Sequence, residues 1–324
     1  MAERDEIAAL LGQSPDVVVP CAKGGNNRAL RVEAGGKPYL AKYYFKSAED
    51  TRPRMQNEWA FLSYAAQSDV PAVPRPLAKN DKDGLAIYSF LPGVVPNAQQ
   101  IDADAVAQAG ALIANLNQKR ERARELADAS ESCFSAGDHL ALLEARIRRL
   151  DKHDALPEHA AALAEVVRDI QATFARYAPQ LDYAPLAATE RCLSPSDFGF
   201  HNSLRDEQGR FSFIDFEYAG WDDPAKMLCD FLLHPGVSVE TGLLSHLLKP
   251  LEKSGIVSKP VLTRTRMLYP LLALRWCCII LNVFVPEHAA RRQFSDSAWD
   301  KQAAQAAQLA KARHMLHKIP ANPF

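Results

Sequence analysis

Ser194-Pro195-Ser196-Asp197-Phe198-Gly199-Phe200-His201-Asn202, followed by Phe211-Ser212-Phe213-Ile214-Asp215-Phe216-Glu217, is the stretch whose reading decides this chain. It sets two carboxylates and an amide at fixed separations: Asp197, Asn202 five residues on, and Asp215 thirteen beyond that. Phe211, Phe213 and Phe216 fit a short, largely buried strand or hairpin arm ending at Asp215, and residues 205–210 (Arg-Asp-Glu-Gln-Gly-Arg) supply the turn before it. An amide and a carboxylate are hard oxygen donors. An Asp and an Asn five apart also occur in ordinary loops, so the preceding segments must decide.

The chain has 324 residues, enough for two lobes or one large domain with a substantial core. With 38 basic and 39 acidic residues the formal charge is −1, so no global field argues for a nucleic acid or an anionic membrane as partner. The opening Met-Ala-Glu-Arg-Asp-Glu is too charged for a secretory signal, and a cytoplasmic protein is expected. Cys21, Cys133, Cys192, Cys229, Cys277 and Cys278 show no paired metal-ligand spacing and read as reduced thiols, mostly buried. The apolar run Leu268 to Val285 contains Pro270, Arg275 and Asn282, which favours a buried helix over a membrane span.

Along the chain, residues 3–11 read as a helix and Val17 to Val19 as a strand. Gly24-Gly25-Asn26-Asn27 leads into alternating Leu30-Arg31-Val32-Glu33; glycines there can bring backbone amides close to phosphate, or simply form a hairpin turn. Lys42 sits in the aromatic strand Tyr39 to Phe45, where an ammonium must face water, snorkel or meet a negative partner. The helical pattern of 51–66 carries Glu58; helical register decides between Glu58 and Glu49 as that partner. A stiff Pro-rich connector at 71–76 precedes a hairpin that ends in Ser89-Phe90-Leu91-Pro92-Gly93. From Gln100 the pattern turns helical, over 102–126, over 139–152 with Asp138 as N-cap, over 158–177, and finally from Trp299 to His317. This shift divides the chain into residues 1–90 and 91–324.

In this order, glycine turn, strand lysine, helix glutamate, Leu-Pro-Gly connector, Asp197, Asn202 and Asp215, the sequence resembles the kinase-like small-molecule phosphotransferases, the superfamily of aminoglycoside phosphotransferases and choline kinases. The resemblance runs from about residue 15 to about residue 235 and includes Asp223-Pro224-Ala225 after the metal-binding aspartate. It implies an α+β, protein-kinase-like two-lobed fold, with a small antiparallel-sheet lobe binding the nucleotide and a larger, mainly helical lobe carrying the catalytic loop and the acceptor site. It further implies ATP (or GTP) and Mg²⁺ as cofactors and a small-molecule hydroxyl as acceptor. Carried over residue by residue, Lys42 would hold the phosphates, Glu58 would orient it, and Gly24, Gly25, Asn26 and Asn27 would cover the nucleotide. Ser89, Phe90 and Leu91 would line the adenine site, Asp197 would act as base, and Asn202 and Asp215 would hold the metal. The chain departs from the family's His-Gly-Asp triplet with Pro195-Ser196-Asp197, so the backbone around the base must be fixed differently, for instance by the ring of Pro195.

For the acceptor, Trp221, Asp222, Tyr269, Arg275 and Trp276 are the candidates, each with a packing role as its alternative. Arg275 lies among apolar residues and needs a partner, while Asp223 suits a helix N-cap ahead of Pro224. A nucleotide-binding scaffold without turnover is the alternative function; every charged position that the chemistry requires is filled, which counts against it.

Overall fold

Alternating apolar and polar residues in the first part of the chain build a five-stranded antiparallel sheet in the computed structural model, which describes residues 2–21, 27–44, 52–286 and 300–324. The strands are β1 (Val17–Pro20), β2 (Asn27–Ala34), β3 (Lys37–Tyr44), β4 (Pro76–Asn80) and β5 (Leu85–Ser89), in the order β1-β2-β3-β5-β4. The register pairs Leu30 with Ala41 and Ala41 with Ile87. These residues, with Val32 and Leu85, therefore share one face, which packs on Ile7 of helix α1 (Ala2–Leu11). Lys42 and Tyr44 occupy the opposite face of β3, toward helix α2 (Arg54–Gln67).

By their internal contacts the residues fall into two units: Met1–Ser130, Leu193–Trp221 and Leu243–Ser254 form one, and Glu131–Cys192, Asp222–Gly242 and Gly255–Phe324 the other. The first holds the sheet, helix α3 (Ala103–Asn117) and the loops bearing Asp197 and Asp215. Beyond β5 the chain turns through Gly93, whose φ of +134° and position, with a Cβ only 2.8 Å from the Arg205 carbonyl oxygen, admit no side chain. Val94 then pairs with Arg205.

The expected helix over 102–126 stops at Asn117. The Asn117 amide satisfies both backbone groups of Leu193 in the short strand β6 (Cys192–Ser194): Leu193 N–H donates to Oδ1 at 2.7 Å, and Nδ2 donates to Leu193 O at 2.9 Å. Asn117 thus serves as a strand partner for the segment that leads into Asp197. Asn117→Ala is expected to leave two buried backbone groups unpaired and to lower stability by about 2–5 kcal/mol. Urea denaturation checks this; a loss below ~0.5 kcal/mol, the level of an inert surface change, would contradict it.

The second unit contains α4 (Ala136–Arg149), α5 (Pro157–Tyr177) and α6 (Pro224–Leu233). Past α7 (Leu244–Lys253) of the first unit, it continues with α8 (Lys259–Ile280) and α9 (Lys301–Lys318). Helix α4 starts earlier than the sequence suggested, because Ser135 caps it by accepting the Asp138 N–H, while Asp138 turns back to the Phe134 N–H. Asp223 does cap α6, with Pro224 at the first helical position. The span Lys259–Phe284 is long and apolar enough to cross a membrane, with hydropathy 1.8, but 78% of that window is buried inside the protein, as in a core helix. Five of the six cysteines are buried and all are free thiols; burial pushes Cys133 and Cys278 up to about 12.

Candidate active site

Lys42 and Glu58 meet because β3 alternates and α2 places Glu58 on its buried side: Lys42 Nζ lies 2.6 Å from Glu58 Oε2 and 2.6 Å from Asp215 Oδ1. Burial alone would lower the Lys42 ammonium, but the charges of Glu58, Asp215 and Glu217 outweigh it and hold the group above its ordinary value. The Glu58 carboxylate does more than pair with Lys42. Its Oε2 also accepts the Tyr44 hydroxyl, which lies 2.8 Å from the Tyr88 hydroxyl, and its Oε1 accepts the backbone N–H of Phe216 at 3.0 Å. One carboxylate therefore joins the strand lysine to the turn that carries Asp215. Glu49, the alternative partner, and Gly24, Gly25 and Asn26 lie outside the described residues.

The run around Asp215 is positioned by a hairpin. Strands β7 (Ser203–Arg205) and β8 (Phe211–Phe213) pair Ser203 with Phe213, and the Ile214 N–H donates to the Asn202 carbonyl at 2.9 Å, which extends the register by one pair. Asn202 and the residue before Asp215 are thereby held side by side. Asp215 itself has φ +65°, a conformation that Asp and Asn tolerate better than most side chains. Two residues on, the buried Glu217 accepts a hydrogen bond from Asn27 Nδ2 and lies 3.8 Å from Arg54 Nε. Burial and the neighbouring Asp215 charge raise the Glu217 carboxyl, against the pull of Lys42, Asn27 and Arg54.

Asp197 is half-buried beside Asn202, at the open end of this hairpin. His201 Nε2 lies 3.3 Å from Asp197 Oδ1, and Asn202 Nδ2 is 3.1 Å from the Asp197 carbonyl and 3.4 Å from its Oδ2. The constraint on the Asp197 loop sits on Ser196, at φ +67°, rather than on the ring of Pro195 alone. Ser194 Oγ accepts the Ser196 N–H at 3.0 Å. One unit thus gathers a buried ammonium, four carboxylates (Glu58, Asp197, Asp215, Glu217) and an amide, a set suited to gripping phosphate oxygens and a hard cation.

The profile of the phosphotransferase enzyme family matches residues 17–234, more than half of the chain. The chain belongs to that family. No curated protein sequence matches this phosphotransferase, but solved structures do. The choline kinase LicA from Streptococcus pneumoniae superposes with a TM-score of 0.62 at 16% identity, covering 98% of each chain. The macrolide 2′-phosphotransferase MphH from Brachybacterium faecium gives 0.62 at 17% identity over 95% of this chain and 97% of its own. The spectinomycin phosphotransferase APH(9)-Ia, solved with ADP and spectinomycin, gives 0.61 at 12% identity over 97% of each. At these identities the likeness is one of fold, the kinase-like α+β fold expected from the sequence.

Ser89 ends β5, its Oγ accepting the Arg75 N–H, and Phe90 lies under the Arg31 guanidinium. Trp221 is half-buried and donates its indole N–H to the Ala123 carbonyl at 3.0 Å. In the second unit, buried Asp222 bonds Lys226 at 2.6 Å, and burial, against the pull of Lys226, raises its carboxyl to about 6. Arg275 pairs with Asp230, to which Trp276 also donates at 3.0 Å, and Tyr269 packs edge-on to Phe324. Sequence reasoning missed Tyr44, Tyr88 and Asn117. Tyr44 was within reach, since it shares the face of Lys42 two residues away.

Proposed function

We propose that this phosphotransferase moves the γ-phosphoryl group of ATP (or GTP) to a hydroxyl of a small metabolite such as a sugar, an amino alcohol or an aminoglycoside-like compound. The observation that carries the reading is Lys42 Nζ held at 2.6 Å by both Glu58 and Asp215, in the unit that also holds Asp197 and Asn202. Asp197 accepts the proton of the attacking hydroxyl and orients its oxygen. Lys42 neutralises charge on the phosphates, and Glu58 fixes the ammonium. Asn202 and Asp215 would hold Mg²⁺: their oxygens suit a hard cation, and the Asn202–Ile214 backbone bond pairs Asn202 with the residue before Asp215. When bound, that ion supplies additional neutralisation of phosphate charge. Gly24, Gly25, Asn26 and Asn27 would cover the nucleotide, and Ser89, Phe90 and Leu91 would line its base.

In this reading residues 1–90 act as the nucleotide-binding lobe and residues 91–324 carry the catalytic loop and the acceptor site, in a cytoplasmic enzyme. Among the acceptor candidates, Trp221 is the half-buried one; Asp222, Tyr269, Arg275 and Trp276 are buried against partners of their own and shape their unit from within. Release of ADP with each of a panel of sugars, amino alcohols and aminoglycosides tests the reading. Acceptor-dependent ADP is expected with at least one class; tight ATP binding with no such ADP across the panel would favour a scaffold without turnover.

A further inference from the structure

At the position where the resembling family has glycine, in its His-Gly-Asp triplet, this chain carries Ser196 at φ +67°. That left-handed region suits glycine and disfavours serine. The Asp197 N–H closes on the Pro195 carbonyl at 3.0 Å, so Ser196 is the central residue of a γ-turn of the strained, positive-φ kind. Such a conformation persists only where its surroundings over-determine it.

Two bonds do so. Ser194 Oγ, on a fully buried residue, accepts the Ser196 N–H, and Ser196 Oγ donates to the Ser130 carbonyl at 3.2 Å. Ser130 ends a short backbone strap, residues 127–130, that is itself paired with the run following Asp215. The Ser130 N–H donates to Tyr218 O at 2.9 Å, the Ala129 N–H to Trp221 O at 2.8 Å, and the Trp221 N–H to Ala127 O at 3.1 Å. The approach is so close that a Cβ at Gly220 would lie 2.3 Å from the Ala127 carbonyl oxygen. One strap therefore holds the Asp197 loop through the Ser196 hydroxyl and the segment after Asp215 through its backbone.

We propose that Ser196 is a positioning residue for phosphoryl transfer: its hydroxyl fixes Asp197 in register with the Asp215 segment through the 127–130 strap. This rests on the function proposed above. Glycine at 196 keeps the turn and loses the anchor, whereas alanine loses the anchor and keeps the strain. Ser196→Gly therefore stays clear of misfolding and is the decisive variant. It is expected to retain the wild-type Tm, to lower kcat about tenfold at unchanged nucleotide KM, and to raise amide exchange at Asp197 about tenfold. Ser196→Ala should lose at least as much kcat and melt lower. Wild-type kcat or wild-type Asp197 exchange in Ser196→Gly overturns the inference. The reading beneath it is checked separately by Asp197→Asn, whose retained turnover would sink the base assignment whatever Ser196→Gly shows.

Discussion

Asp197→Asn is expected to lower kcat on the order of 10³-fold, the range of a lost general base, with nucleotide KM nearly unchanged. The substitution is close to isosteric and its site is half-exposed, so the fold should be untouched. The contacts of Asp197 with His201 and Asn202 are at 3.1 Å or longer, and one of them is to its backbone carbonyl, which the variant keeps. The expected change in stability is below about 1 kcal/mol. What is lost is an oxygen able to take a proton from the acceptor. Steady-state kinetics with the true acceptor, alongside urea denaturation, separates the two quantities; near-normal turnover would remove Asp197 from the role of base.

Asp215→Asn should also damage activity, by about 10²–10³-fold, but through nucleotide binding as well as turnover. Asparagine accepts φ +65° about as well as aspartate does, so the turn survives. Lys42 keeps Glu58 at 2.6 Å after losing Asp215, and Asp215 has a side chain 39% exposed, so solvent screens part of the lost pair. The cost in stability is therefore about 1 kcal/mol or less. Removing the carboxylate charge from one of the two proposed magnesium-holding residues should weaken Mg²⁺-nucleotide affinity, read by titration calorimetry, and raise the magnesium concentration needed for half-maximal rate. A variant with wild-type magnesium dependence would contradict the assignment.

The features of the fold and site that were legible in the sequence rest on short-range patterns. Lys42 in an apolar strand pointed to water, snorkelling or a negative partner, helical register left Glu58 or Glu49 as that partner, and the Arg205 to Arg210 turn implied the hairpin that sets Asn202 beside Ile214. What escaped depends on partners distant in the chain. Asn117, at the end of α3, bonds Leu193, 76 positions later, and nothing local announces that. Arg275 was read as needing a partner, but Asp230 lies 45 positions earlier and could be identified only once α6 and α8 were packed. The left-handed turn at Ser196 runs against the preference of its own residue type, so only the surrounding bonds reveal it.

The central claim, transfer of a γ-phosphoryl group to a small hydroxyl compound by the Asp197, Asn202, Asp215 and Lys42 set, is tested most directly with ATP radiolabelled at the γ position. After incubation with Mg²⁺ and the acceptor that releases ADP, the label should appear covalently on that acceptor with wild-type protein and fall on the order of 10³-fold with Asp197→Asn. Label released only as inorganic phosphate, or transferred equally well by both proteins, would contradict the account.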